Sequence, residues 1–510
     1  MKQKPGQSRP LWEAREYERY YSQFIADTDR PLLHLSPLVG WMNDPNGFSY
    51  HDGLYHLFYQ YNPYKTQWAP MHWGHAVSED LITWRYLPTA LAPDMPYDDK
   101  DGCFSGSAVF LPDGRHLLMY TGVATGGHLA DGTVCDRQTQ CLAVGDGVDY
   151  EKWHANPVIG PADIPPDIDT RHFRDPKMWR EDDGTYRCVA AGLGAPEKSG
   201  RILLFSSEDG FEWHYERTLL RNDGRYGVMW ECPDFFQLDG YSVLLVSPQD
   251  MLPVRHDFHC GNNVIGFLGH IDEETGDFVE ESCATVDHGI DFYATQTLLA
   301  PDGRRIMVAW MQNWDTITAN GKEDRWFGQM NIPRELSVRD GVLCQWPVRE
   351  LDAYRCNRVA YENVEVNDIL SLDGVGGRCV DLSIAIRPVD PDNPYHQFVL
   401  RFAEDGQFYT SLRFKPAKGE FKIDRTRSGS RRALLHHRKC VIGRYTDELR
   451  LRVILDRYSA EIFINGGTHV MSVTLPTNED ADGITFCADG NAVIDVEKFD
   501  LSRTIETVCS

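Results

Sequence analysis

No apolar run in this sequence approaches the roughly 18 residues that a membrane-spanning helix needs. Basic charge is also scarce: 51 Lys and Arg stand against 76 Asp and Glu, a formal net charge of −25. An excess of that sign argues against a general nucleic-acid binder and against docking on an anionic membrane, because both require clustered cations. CxxC pairs and Asn-x-Ser/Thr are absent, and Met1 to Pro10 is polar with no apolar segment behind it. A secretory signal peptide is therefore not expected. The 13 cysteines are odd in number and scattered. That inventory suits reduced thiols, and a cytoplasmic protein is expected. Gly192-Leu193-Gly194 lacks the third glycine and the βαβ setting of a dinucleotide fingerprint. His72 and His75 lack a third ligand at useful spacing, so no metal is expected there. Neither a P-loop nor a Ser-His-Asp signature is visible.

What is present is β-texture. Residues 11 to 26 read as helical, with Tyr17, Tyr20, Tyr21, Phe24 and Ile25 at helical spacing, and are expected to pack on the next domain. After Pro31, short runs of β-branched and aromatic residues alternate with Gly, Asp and Pro turns. An Asp-Gly pair recurs five times between such runs: Asp52-Gly53, Asp113-Gly114, Asp183-Gly184, Asp239-Gly240 and Asp302-Gly303. Asp-Gly suits a tight hairpin because glycine accepts positive φ without a clash. An acidic residue also precedes an aromatic by four in four repeats, as in Asp80 and Trp84 or Asp209 and Trp213. Five all-β repeats imply a five-bladed β-propeller, each blade a four-stranded sheet. A large β-sandwich is the rival, disfavoured because its strands need not repeat. The pattern fades after Gln345-Trp346-Pro347, and residues 360–510 carry strands of their own, read as a second all-β domain, a β-sandwich. The expected organisation is a helical extension over 1–30, a propeller over 31–350 and a sandwich over 360–510. The basic stretch Arg425 to Lys439 reads as a solvated loop.

The repeat register carries chemistry. Nine residues before the turn glycines stand Asp44, Ser105, Asp175, Glu231 and Ala294; ten before stand Asn43, Phe104, Arg174, Trp230 and Tyr293. Equivalent positions on the first strands of propeller blades ring the central axis, so three carboxylates are expected at one mouth of the channel. Like charges at short range raise one another's pKa. That helps when one group must donate a proton while another stays ionised, as glycoside hydrolysis requires. Asn43, Arg174 and Tyr293 would bond hydroxyls, and Phe104 and Trp230 would supply flat apolar walls. Singly, each motif reads as a turn: Asp44-Pro45-Asn46-Gly47 holds four turn-forming residues in a row. The shared register is what favours catalysis. Trp68, Trp310 and Trp314 are candidate platforms for sugar rings, against the blander expectation that tryptophans pack blades.

Four segments occur in order: Trp41-Met42-Asn43-Asp44-Pro45-Asn46-Gly47, Phe104-Ser105-Gly106-Ser107, Phe173-Arg174-Asp175-Pro176 and Trp230-Glu231-Cys232-Pro233-Asp234. With them the chain resembles the β-fructofuranosidases of glycoside hydrolase family 32. The resemblance covers residues 31 to 350 strongly and the remainder weakly. It implies a five-bladed propeller with a C-terminal sandwich and a retaining mechanism without metal or organic cofactor. It implies Asp44 as nucleophile, Glu231 as general acid/base, and Asp175 as transition-state stabiliser. Substrate contacts would fall on Asn43, Gln60, Trp68, Phe104, Ser105, Arg174, Tyr293 and Trp314. The implied substrate is a terminal β-fructofuranosyl unit of sucrose, sucrose 6-phosphate or a short fructo-oligosaccharide. A fructosyltransferase and a non-catalytic fructan-binding propeller remain as alternatives, and self-association is left open.

Overall fold

A computed structural model describes residues 3, 6–128, 134–317, 325–429, 435–442 and 448–503. The chain opens on an α-helix, Arg9–Tyr21, capped by Ser8, whose side chain accepts from the Leu11 N–H at 3.3 Å. Its buried residues are Leu11, Ala14 and Glu18, one helical face. The segment packs on the next domain as expected, and Tyr17 and Ile25 join the core there. Tyr20, Tyr21 and Phe24 of the same aromatic set are exposed, because the inward face of the helix is set by a hydrogen-bonded carboxylate. Glu18 accepts from the backbone N–H of Thr89 at 2.9 Å and from its hydroxyl at 2.6 Å.

Five antiparallel sheets follow, spanning Gly40–Leu91, Gly102–Lys152, Ile168–Arg221, Trp230–Thr285 and Tyr293–Pro347 in chain order. Each has four strands in sequence order, and the innermost strands contact one another in a closed ring. This is the five-bladed propeller. Trp326–Phe327, from the last blade, adds in parallel to Gly40–Trp41 of the first and closes the ring. Neighbouring blades cover both faces of a strand, which is why His72–Ser78 is buried along its whole length instead of alternating. All five turn glycines sit at positive φ, but only Asp52 and Asp239 join them there. Those two turns are tight two-residue hairpins. The other three are wider: in the second blade Leu111 N–H bonds the Arg115 carbonyl at 2.8 Å, around the Asp113-Gly114 turn.

Every innermost strand carries a β-bulge. The registers shift between Met42 and Pro45, Phe104 and Gly106, Arg174 and Lys177, Glu231 and Asp234, and Tyr293 and Thr295. Bulges re-aim side chains, and these coincide with the positions nine residues before each turn glycine. Beneath the bulges the channel is cross-linked by polar groups. Gln296 accepts from Phe48 N–H at 2.7 Å and donates to the carbonyls of Pro45 and Gly106 at 3.3 and 3.0 Å. Lys177 pairs with Asp234 at 3.2 Å.

The remaining chain forms two six-stranded sheets packed face to face over a core including Leu382, Phe398, Phe414, Ile462 and Phe486. It is locked to the propeller by buried charges. Arg334 donates to Glu461, to Asp287 at 3.0 Å and to Gln345 at 2.8 Å. His34 lies between Asp456 at 2.7 Å and Glu461 at 3.0 Å. Burial alone would lower its pKa, but the two carboxylates outweigh this and raise it to about 9. The expected solvated loop over Arg425 to Lys439 needs correction. Arg425 is buried and donates to Asp291 at 2.6 Å, while Arg438 is buried on the strand His437–Val441. Both side chains serve the contact between propeller and sandwich; residues 430–434 of that stretch lie outside the described residues. Among the described residues no helix is long and apolar enough to cross a membrane, and no disulfide joins the described cysteines.

Candidate active site

The bulges of four blades open onto one cavity of about 440 Å³ at the end of the channel. Asn43 and Asp44 come from the first blade, Phe104 and Ser105 from the second, Arg174 and Asp175 from the third, Glu231 from the fourth. Gln60, Trp68 and Trp314 complete the expected wall residues. Thus ten of the residues singled out in the sequence meet in one place. Tyr293 does not line the cavity. Its hydroxyl lies behind, donating to Glu231 at 2.6 Å. Ala294, fifth in the register, is buried and brings no functional group. Trp230 and Trp310 are fully buried and serve as packing, which removes Trp310 as a sugar platform. His72 and His75 are likewise core residues.

The three carboxylates are tied together. Asp44 accepts from Ser105 Oγ at 2.6 Å and from Asn43 Nδ2 at 3.0 Å, and Asn43 is held in turn by Trp41 Nε1 at 2.6 Å. The Cys232 thiol lies 3.6 Å from Asp44 Oδ2 and 3.7 Å from Asp175 Oδ2, and the Cys232 N–H donates to the same Asp175 oxygen at 3.0 Å. Cys232 and Asp175 both adopt positive φ, 48° and 62°, so each bulge turns its side chain or its amide into the cavity. Glu231 accepts from Arg174 through Nε at 3.0 Å and Nη2 at 2.8 Å, and from Gln249 at 2.7 Å.

These contacts set the electrostatics. Burial raises the Asp44 carboxyl above its ordinary value; the Ser105 bond opposes this and the Glu231 charge adds to it. Burial likewise lifts Asp175, Arg174 pulls it down, and Glu231 and Asp44 push it up, with a net value of about 7. Burial and the neighbouring Glu231 raise the Tyr293 phenol well above its usual range, so it stays a donor. Such a cluster can hold a proton and an anion together near neutrality. Aromatic rings stand among these polar groups in the walls: Trp68, 40% exposed at the rim, meets Phe104 edge-on at 5.9 Å, and Trp314 stacks on Trp41.

Three cavity residues were missed in the sequence: Gln249, Asp250 and Asn262. Gln249 and Asp250 follow the second strand of the fourth blade, Tyr241–Pro248, whereas Gln60 lies within the second strand of the first, Leu54–Asn62, so counting from the turns does not connect them. Asn262 is fixed by Asp315, which accepts from its backbone at 2.9 Å and its amide at 3.0 Å. That contact crosses between blades and leaves no mark in local sequence.

Comparison with known proteins agrees with this geometry. Residues 34–347 match the glycosyl hydrolases family 32 N-terminal domain, and residues 350–503 match the family's C-terminal domain. A raffinose invertase of Escherichia coli is 36% identical over 487 residues, covering 91% of this chain and 93% of that protein. A sucrose-6-phosphate hydrolase of Escherichia coli is 36% identical over 481 residues, covering 92% and 94%. A β-fructofuranosidase of Bombyx mori has a solved structure with a TM-score of 0.81 and 32% identity, covering 97% of this chain and 98% of that one; a variant of it is known in complex with sucrose. The two family matches run in order along nearly the whole chain, and the chain belongs to glycosyl hydrolase family 32.

Proposed function

We propose that this enzyme hydrolyses terminal non-reducing β-D-fructofuranosyl units of sucrose, sucrose 6-phosphate or short fructo-oligosaccharides, with retention of configuration. The observation that carries the reading is the convergence of Asp44, Asp175 and Glu231 on one cavity of sugar-binding size, lined by Trp68 and Phe104. Glu231 is the proton donor to the glycosidic oxygen. Asp44 attacks the anomeric carbon and forms a fructosyl ester. Water, deprotonated by the ionised Glu231, then cleaves the ester and releases fructose. Asp175 holds fructose hydroxyls as charge develops on the ring. Arg174 orients Glu231, and Asn43, Gln60, Ser105 and Trp314 contact the substrate. Tyr293 acts through Glu231, since its hydroxyl is bonded there. Residues 1–30, 31–350 and 360–510 serve as a helical extension, a catalytic propeller and a supporting sandwich. The cysteine inventory fits a reducing, cytoplasmic setting.

The decisive experiment sets the wild type beside Asp44→Asn on sucrose and on sucrose 6-phosphate. The wild type should release fructose from at least one of them, and the variant should lose the ~10³-fold or more expected when a nucleophile is removed. Proton NMR of the first-formed fructose should show the β-anomer. Release of the α-anomer would refute retention, and unimpaired Asp44→Asn would refute the assignment.

A further inference from the structure

A second cavity, of about 590 Å³, lies between the N-terminal helix and the loop after the second strand of the first blade. Its walls include Tyr17, Tyr21 and Phe24 from the helical segment and Tyr64 from the loop. Tyr21, Phe24 and Tyr64 are 45%, 49% and 38% exposed, an unusual concentration of aromatic surface on a chain so acidic. The rings are arranged, not loose: Tyr17 stacks on Tyr21 at 4.2 Å and meets Tyr64 edge-on at 5.0 Å. The loop is pinned by Asn62, which donates to the Gln67 carbonyl at 2.9 Å and accepts from the Tyr64 N–H at 3.1 Å. Lys65, Gln67 and Arg325 bring an amine, an amide and a guanidinium to the same walls.

The position of this groove matters. Gln67 lines it, while the next residue, Trp68, lines the catalytic cavity. The loop is therefore the partition between the two. Val39 and Gly40, also in the groove, lead directly into the strand that carries Asn43 and Asp44. Strand direction thus places the groove on the same mouth of the propeller, with Gly40 only about 13 Å along the strand from Asp44 at ~3.3 Å per residue. Trp68, exposed at the rim of the catalytic cavity, offers its edge to the part of a fructoside that is not the cleaved fructosyl unit. A groove just beyond, with aromatic faces for the C–H faces of a sugar and nitrogen donors for its hydroxyls, suits the remainder of that molecule.

We propose that the groove between the N-terminal helix and the 63–67 loop binds a further sugar ring of the leaving group, so that saccharides of three or more rings are held there. This rests on the fructofuranosidase reading above. The test is kcat/KM on sucrose, raffinose, 1-kestose and nystose for the full-length wild type and for Tyr21→Ala combined with Phe24→Ala. Both side chains are half exposed, so the variant should fold, which its melting temperature checks. The expected result is unchanged hydrolysis of sucrose and a loss on the order of tenfold on the longer substrates, mostly in KM. Equal effects on all substrates, or none, would overturn the groove assignment, as would a wild type that cleaves sucrose but not three-ring saccharides. A change of sedimentation from dimer to monomer in the variant, without a selective loss on the longer substrates, would assign the surface to self-association instead. If the wild type cleaves none of these fructosides, the parent reading fails first, and the groove assignment falls with it.

Discussion

Ser105 and Asn43 decide how early Asp44 becomes an anion. Both donate to its carboxylate, and hydrogen bonds to the charged form lower a pKa that burial has raised. Ser105→Ala removes the shorter of the two. The Asp44 pKa should rise further, and the acid limb of kcat/KM should move to higher pH by about one unit, given ~1.5 kcal/mol for a hydrogen bond to a charged group. Melting temperature should barely change, which separates this effect from lost folding. An acid limb that stays in place would exclude Ser105 from tuning the nucleophile. Asp175 shows the same logic without a hydroxyl donor: burial first, then the Glu231 and Asp44 charges, push its carboxyl up against the pull of Arg174.

At the scale of elements, the N-terminal helix is docked through a buried acid. Burial lifts Glu18 to about 7, against the hydrogen bonds from Thr89 that favour its anion. A raised carboxyl favours the folded state when protonated. Its contribution is therefore fully present below the unfolded value near 4.5 and is lost as pH rises through about 7. Backbone amides of Arg9–Tyr21 should exchange faster at pH 8 than at pH 5, after correction for intrinsic rates. Glu18→Gln should abolish the difference, and its persistence in that variant would refute the mechanism. The bulged innermost strands are the other elements on which function depends. They explain how five chemically different segments, from Asn43-Asp44 to Tyr293-Ala294, occupy one structural position.

For the whole molecule, the seam between propeller and sandwich is where charge is most deeply buried. His34, Arg334, Asp287, Asp456 and Glu461 are inaccessible and mutually bonded. A histidine raised to about 9 stabilises the fold below pH 6.5, and that contribution is lost as pH rises through about 9. His34→Asn leaves two carboxylates without one of their cations and should destabilise the protein at pH 7 by about 3 kcal/mol. The same substitution should flatten the fall in melting temperature between pH 7 and 10. An alkaline profile identical to that of the wild type would exclude His34 as the titrating group. Arg425 and Arg438, which join the same seam from the sandwich, give that domain a structural hold on the blade carrying Tyr293 and Trp314.

The sequence by itself determined the repeat, and with it the architecture. Asp-Gly turns at blade spacing, each followed by a buried run, leave little but a propeller, and one fixed offset from those turns reaches Asp44, Ser105, Asp175 and Glu231. Such features are local, because turn chemistry and strand alternation are written within a few residues. Only the tertiary structure decided what depends on contact between distant segments. It put Tyr293 behind Glu231, buried Trp310, brought in Gln249 and Asn262, and left Tyr20, Tyr21 and Phe24 of the first helical segment exposed. It also converted a basic stretch near Arg425 into interface cations. Apart from Gln249, which bonds Glu231 of its own blade, the partners lie on another blade or another domain, and burial and pairing are properties of the packed chain, not of any segment alone.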